Sequence, residues 1–277
     1  LRGELVIDDA FVRDVVGLEG EAIPWAARRA VLDRLHHDLV VVSFSHGWGS
    51  PVQPDPDEAL FLLREWRSET DLFVFALVDG PFSAAAKAWG WEQALVKLTQ
   101  LPPDVARFMA EAVVEQAVFV QRLAEAGADG ILIGDDIAYR RSAYVQPAAL
   151  RQSYFPYLTV LVEACQQAGL PAVFHSDGNL WEVLVDLVAT GINGLQGLEP
   201  AAGMSLAGVR AKVGPDLCLW GNVDIGWLAQ PRPAAEITAE VQRLLAPLAG
   251  TPVILGTSGG LMAGLPGAQV EAMFSAV

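Results

Sequence analysis

The sequence predicts a single-domain (β/α)8 TIM barrel over residues 1–277. Three observations predict it. Eight short apolar runs alternate with stretches of helical periodicity. Most of those runs end abruptly in a polar tip. No linker, low-complexity tract or basic tail divides the chain. In a parallel α/β fold the ligand site lies at the carboxyl ends of the strands, so apolar runs with polar tips are what such a fold requires. A doubly wound sheet shows the same alternation, and the count of eight runs favours the barrel.

Residues 3–8 read as the first strand, a short apolar run ending in Asp8 and Asp9. Residues 26–37 are helical, with Ala30, Val31 and Leu35 on one face. Residues 39–45 are β-branched and continuously apolar, as a strand buried on both faces should be. A glycine-rich loop follows, with His46 at its start and Trp48 inside it. Residues 57–66 are helical behind Pro56, which suits a first turn. Residues 72–78 form the third strand, closing in Asp79, Gly80 and Pro81. Helices follow over 84–97 and 103–127, the second with Asp104 placed to cap it. Residues 128–134 are the fourth strand and end in Asp135 and Asp136. A loop with Tyr139, Arg140, Arg141 and Tyr144 leads to a helix over 147–168.

The centre of the chain is residues 171–200. There a run over 172–174 ends in His175, Ser176, Asp177 and Gly178, a helix covers 181–189, and a run from Gly191 ends in Glu199 and Pro200. Residues 217–220 are the seventh strand, tipped by Gly221, Asn222, Val223 and Asp224. A helix over 234–248 precedes the eighth strand at 252–255, whose tip is Gly256 to Gly260. A closing helix begins at Gln269.

Composition narrows the function. A hydrophobic share of 52% with 18% charged residues suits a buried sheet and excludes a disordered chain. A formal net charge of -15 argues against nucleic acid as a partner. No apolar run approaches the length of a membrane span and no leader is visible, so a cytoplasmic protein without a membrane partner is expected. Cys165 and Cys218 do not make a disulfide framework.

The tips are read together as one pocket: Asp8, His46, Asp79, Asp136, His175, Asp177, Glu199, Asn222, Asp224 and Ser258. Crowded carboxylates raise one another's pKa, so one can hold a proton and act as an acid. His175, Asp177 and Glu199 also suit a divalent metal, since zinc takes imidazole and carboxylate ligands. The structural alternative is a plain turn at Asp177 and Gly178 beside a satisfied histidine. Gly256 to Gly260 is either an anion-holding loop or a tight barrel turn. Arg140 and Arg141 either bind a substrate carboxylate or form a solvated loop face. Trp48, Trp181 and Trp220 either wall the pocket or pack the barrel. No Walker loop or dinucleotide fingerprint is present. Ser258 lacks a nucleophile elbow and no histidine follows it, which excludes a hydrolase triad.

Six segments then match a known group in order: Gly-Asp-Asp-Ile-Ala-Tyr (134–139), Gln-Pro-Ala-Ala-Leu-Arg with Phe-Pro-Tyr (146–157), His-Ser-Asp-Gly-Asn (175–179), Gly-Ile-Asn-Gly-Leu-Gln with Glu-Pro (191–200), Gly-Asn-Val-Asp (221–224) and Ile-Leu-Gly-Thr-Ser-Gly-Gly (254–260). The chain resembles the uroporphyrinogen decarboxylase superfamily from about residue 73 onward. That group holds the decarboxylases and cobalamin-linked methyltransferases, and the resemblance implies a (β/α)8 barrel. The decarboxylases carry an Arg-Gln-Ala-Gly-Arg motif after the first strand, where this chain has Asp8, Asp9 and Ala10. Their Phe-Ser-Asp stretch is Phe44-Ser45-His46 here. The methyltransferases bind zinc through His-x-Cys and a later cysteine. By that resemblance His175 is the histidine, Asp177 stands at the first cysteine, the 256–258 loop replaces the second, and Glu199 completes the site. Such a hard ligand set favours an oxygen-containing substrate such as an alcohol or methyl ether.

The expectation is therefore a corrinoid-linked methyltransferase acting on a small molecule. Asp136, His175, Asp177 and Glu199 are its catalytic residues, and His175, Asp177 and Glu199 hold zinc. His46, Asp79, Tyr139, Arg140, Asn222 and Ser258 bind substrate. The methylcorrinoid sits on a partner protein, and a homodimer is compatible with the chain. The alternatives are a cofactor-free decarboxylase of uroporphyrinogen or another small acid, with Asp136 or His46 as proton donor, and a non-catalytic binding subunit.

Overall fold

A computed structural model describes residues 1–20, 22–45 and 54–277. Seven strands form one sheet in chain order: β1 (Leu39–Ser43), β2 (Phe73–Asp79), β3 (Gly130–Gly134), β4 (Ala172–Ser176), β5 (Gly194–Gly197), β6 (Cys218–Trp220) and β7 (Val253–Ile254). Every neighbouring pair is parallel. Parallel neighbours need crossover connections, and here helices supply them. Among the described residues the sheet is an open, curled half-barrel in a single-domain α/β fold.

The closed eight-stranded barrel is not what forms, because residues 3–8 do not join the sheet as a strand. Residues 2 and 7 meet the segment after β7 at two isolated bridges, Arg2 with Leu255 and Ile7 with Leu261. Side chains capture the backbone donors that a ladder would use. Asp38 Oδ2 takes the Arg2 N–H at 2.7 Å, and Glu4 Oε1 takes the Thr257 N–H at 2.8 Å. Gly3 lies so close to Leu39 that a Cβ on it would stand 2.3 Å from Leu39 Cγ. An apolar side chain thus occupies the seam where β1 and a first strand would have paired.

Inside the curl, Leu5, Leu39, Phe75, Leu77, Leu132, Val173, Trp220 and Ile254 form one apolar cluster. Trp220 is buried there, with its ring 5.4 Å from that of Phe75 and its Nε1 donating to Gly3 O at 2.9 Å. It packs the interior and does not wall a pocket. A larger cluster fills the space between the sheet and the helices. Side chains alternate across each strand, and one row of register partners runs Asp79, Gly134, His175, Gln196, Trp220, Ile254. The inner face thus turns from apolar to polar at the carboxyl ends of β2 to β5.

Two expected helices are each broken in two. Residues 84–97 belong to Pro81–Trp89 and Trp91–Gln100, separated by Gly90 at φ 78°. Residues 147–168 contain Pro147–Ser153 and Phe155–Gln167, with Tyr154 at φ -132° between them. Asp104 lies in the first turn of Pro103–Ala126, paired with Lys97, and Pro102 holds the cap position. Three further helices had no counterpart in the sequence reading: Asp9–Val16, Leu206–Val213 and Ile225–Leu228. Asp8 caps the first, accepting from Ala10 N at 2.6 Å, and Asp224 caps the third, accepting from Trp227 N at 2.7 Å. Both tip carboxylates thus serve helix ends. Asp8→Ala should lower unfolding stability by about 1 kcal/mol in urea titration and leave metal content unchanged. No helix among the described residues is long and apolar enough to cross a membrane.

Candidate active site

β3 delivers two adjacent aspartates to opposite environments. Asp135 is fully buried and accepts from Phe82 N at 2.9 Å, Ser83 N at 2.8 Å and Tyr154 Oη at 2.9 Å. It anchors the start of helix Pro81–Trp89, and burial pushes its carboxyl up to about 6. Asp136 turns the other way, to the mouth of the curl. Its Oδ1 accepts from Asp177 N at 2.8 Å and stands 3.5 Å from His175 Nε2. His175 is the penultimate residue of β4, and its Nδ1 faces Gln196 Oε1 at 2.5 Å. Asp177 follows β4, with Oδ1 buried and without a hydrogen-bond partner among the described residues. Burial raises its pKa most, His175 opposes the shift, and Asp136 and Glu199 add to it. One ligand atom each from Asp136, His175 and Asp177 lie within 4.8 Å of one another. These residues form a candidate metal site.

The tip turn is held by close backbone approach. Gly178 has φ 85°, and a Cβ on it would sit 2.6 Å from Ala138 C and 2.7 Å from Tyr139 N. Its N–H donates to Glu199 Oε2 at 3.2 Å, and Asn179 N donates to Tyr139 O at 2.9 Å. Gly178→Ala should lose about 1–3 kcal/mol of stability from the left-handed backbone alone, read by urea titration. It should also weaken metal binding, because the turn carries Asp177. At the rim Tyr139 and Tyr144 stack, centroids 5.4 Å apart and planes 26° from parallel. The Tyr144 phenol is raised by burial and then by the charges of Asp136 and Asp177.

Residues 58–277 match the uroporphyrinogen decarboxylase (URO-D) family. The chain belongs to that family. No curated protein matches it in sequence. Among solved structures it is similar to a methyltransferase from Methanosarcina mazei, with a TM-score of 0.74, 20% identity, and coverage of 99% of this chain and 90% of that one. A protein named as a vitamin-B12 independent methionine synthase from Listeria monocytogenes gives a TM-score of 0.61 at 11% identity, covering 99% and 95%. D-psicose 3-epimerase from Clostridium cellulolyticum H10 gives 0.55 at 12% identity, covering 92% of each chain. At these identities the likeness is one of fold.

In this URO-D chain the expected metal set of His175, Asp177 and Glu199 is redrawn. The structure brings Asp136 together with His175 and Asp177, and Glu199 lies beside that group with Oε2 accepting from the Gly178 amide. Asn222 is buried, and its Nδ2 donates to Leu198 O at 2.7 Å and Met204 O at 3.2 Å, tying the β5 and β6 loops together. Its Oδ1 is buried without a partner among the described residues. Arg140 spends its Nε on Ala201 O at 3.1 Å. Asp79 accepts from Ser45 Oγ at 2.5 Å and pairs with Lys87, beside a cavity lined by Phe44, Phe119 and Arg122. Ser258 is buried and its N–H goes to Val223 O. The amides of Thr257 and Gly260 are also taken, by Glu4 and by Thr257 Oγ1. Three of the five amides of residues 256–260 are thus taken within the chain, as in a tight turn. Trp181 Nε1 donates to Gly203 O at 3.1 Å, pinning the loop after Glu199. His46 and Trp48 lie outside the described residues. Gln196 was missed by the sequence reading, although a glutamine inside the apolar run 192–198 is an available signal.

Proposed function

We propose that this chain is a methyltransferase that moves a methyl group between a small oxygen-bearing substrate and a corrinoid carried on a partner protein. One observation carries the reading: an imidazole and two carboxylates converge at the strand tips, and one carboxylate oxygen has no donor among the described residues. His175 turns Nδ1 to Gln196 Oε1 and Nε2 to Asp136 Oδ1, 3.5 Å away. Asp177 Oδ1 is buried beside them with no donor among the described residues. A buried acceptor with no donor is costly, and a cation held by Asp136, His175 and Asp177 removes that cost for Asp177 Oδ1. Imidazole with two carboxylates suits zinc or a similar divalent ion, so the residues present fit one. Such an ion supplies a Lewis acid that polarises a substrate oxygen.

The chain's own residues do the rest. Asp136 fixes the Asp177 backbone through the amide it accepts, and Glu199 fixes Gly178 in the same way. Tyr139 and Tyr144 stack on each other as an exposed aromatic pair that a substrate can meet. The fold shared with the M. mazei methyltransferase supports methyl transfer. The gathering of Asp136, Asp177 and Glu199 at the tips weighs against a substrate rich in carboxylates. The test is methyl transfer from methanol and methyl ethers to free cob(I)alamin, which with one proton gives methylcob(III)alamin and water or the parent alcohol, before and after exhaustive chelation. Transfer lost on chelation and restored by zinc is the expected result. Decarboxylation of uroporphyrinogen that survives chelation would overturn the reading, as would tight ligand binding without turnover.

A further inference from the structure

We propose that Gln196 is a positioning residue: its side-chain amide fixes the His175 ring so that Nδ1 carries the proton and Nε2 presents its lone pair to Asp136 and Asp177. The consequence for metal binding rests on the metal reading of the same site. The tautomer does not. His175 and Gln196 are register partners on adjacent parallel strands, and Nδ1 and Oε1 meet at 2.5 Å. On the other side of His175 the register partner is Gly134, which has no side chain to orient the ring. On the far side of Gln196 the partner is Trp220, itself held by the bond from Nε1 to Gly3 O. The amide is thus confined between an imidazole and a fixed indole. Gly197 follows at φ 98°, and a Cβ on it would stand 3.5 Å from His175 Nδ1, so the β5 backbone comes close to the same nitrogen.

Packing alone does not account for an amide here. Gln196 is fully buried, and its Nε2 has no partner among the described residues. Leucine or methionine would fill a similar volume without burying an unpaired donor. A carboxylate would also hold the Nδ1 proton, as second-shell carboxylates do for metal-bound histidines. It would add a further negative charge to a site already holding Asp136, Asp177 and Glu199. The amide sets the tautomer without that charge. Left alone, Asp136 beside Nε2 would draw the imidazole proton to that nitrogen and occupy the lone pair the site needs.

The test has two arms. Long-range 1H–15N NMR on the metal-free wild-type protein should show His175 protonated on Nδ1, and Gln196→Leu should move that proton to Nε2. Titration with Zn(II) alone, and with Co(II) alone, should show dissociation constants about 10–100-fold weaker in Gln196→Leu. Gln196→Glu should recover wild-type affinity or exceed it. Should Gln196→Leu fail to fold, Gln196→Met against Gln196→Glu makes the same comparison. An Nε2-protonated His175 in the wild type overturns the proposal, as does a leucine or methionine variant that keeps both tautomer and affinity. If the wild type binds neither ion, the metal reading has failed, and the tautomer measurement still decides the role of Gln196.

Discussion

His175→Ala should strip the protein of stoichiometric divalent metal and leave it folded. The ring supplies the nitrogen ligand of the Asp136, His175, Asp177 group. Two carboxylates without imidazole make a weak and unselective site for zinc. Affinity should therefore fall by more than the roughly 10–100-fold that loss of an outer partner costs. Only a small part of the fold depends on this ring. Its ring nitrogens meet Gln196 and Asp136, and the interior cluster of Leu77, Leu132, Val173 and Trp220 does not include it. Metal analysis of both proteins after zinc reconstitution, with thermal melts of the metal-free forms, reads the two effects separately. One ion per chain retained in the variant would sink the site. A companion variant sharpens the test. Asp177→Asn should also lose the metal, yet the metal-free protein should be more stable than wild type at neutral pH. Burial and the neighbouring Asp136 and Glu199 disfavour the charged form of Asp177, and asparagine removes that charge.

The same residues show how far the sequence could be read. β1 to β7 were legible because each is a β-branched or apolar run that stops at a polar tip, a local signal. Residues 3–8 carry that signal too. Whether they join a ladder depends on Asp38 capturing Arg2 N and on Glu4 capturing Thr257 N, the second across more than two hundred residues of chain. No local pattern contains that. Tip carboxylates divide in the same way. Asp8 and Asp224 precede helices and cap them, which the apolar spacing of Phe11, Val12 and Val15 after Asp8 could have shown. Asp135 and Asp136 are adjacent and chemically identical. Phe82, Ser83 and Tyr154, from two other elements, decide that the first is a buried anchor and the second reaches the mouth. The pairing of His175 with Gln196 follows from strand register, so it was beyond reach until the sheet was known.

Stability should fall as pH rises from 6.5 to 8, and Glu4→Gln should remove that slope. Glu4 is fully buried, and desolvation lifts its pKa from 4.5 to about 8 against the opposing hydrogen bonds from Thr257. An acid raised in the folded state keeps its proton where the unfolded chain has lost it. Its contribution is complete below the unfolded value and is lost progressively as pH climbs through the folded one. Asp135, raised to about 6, acts in the same direction but lower in pH. His37, lowered to about 3 by burial, costs stability only as pH falls below its ordinary 6.5. The interval from 6.5 to 8 therefore isolates Glu4 among these buried groups. The expected loss across the interval is on the order of 2 kcal/mol. Glutamine keeps the geometry, since its Oε1 can accept from Thr257 N and its Nε2 can donate to Thr257 Oγ1. Urea titrations at three pH values across the interval, wild type beside Glu4→Gln, make the measurement. Parallel slopes in the two proteins would show that Glu4 is ionised throughout, and that the side-chain tie between residues 1–7 and the β7 loop is a charged one.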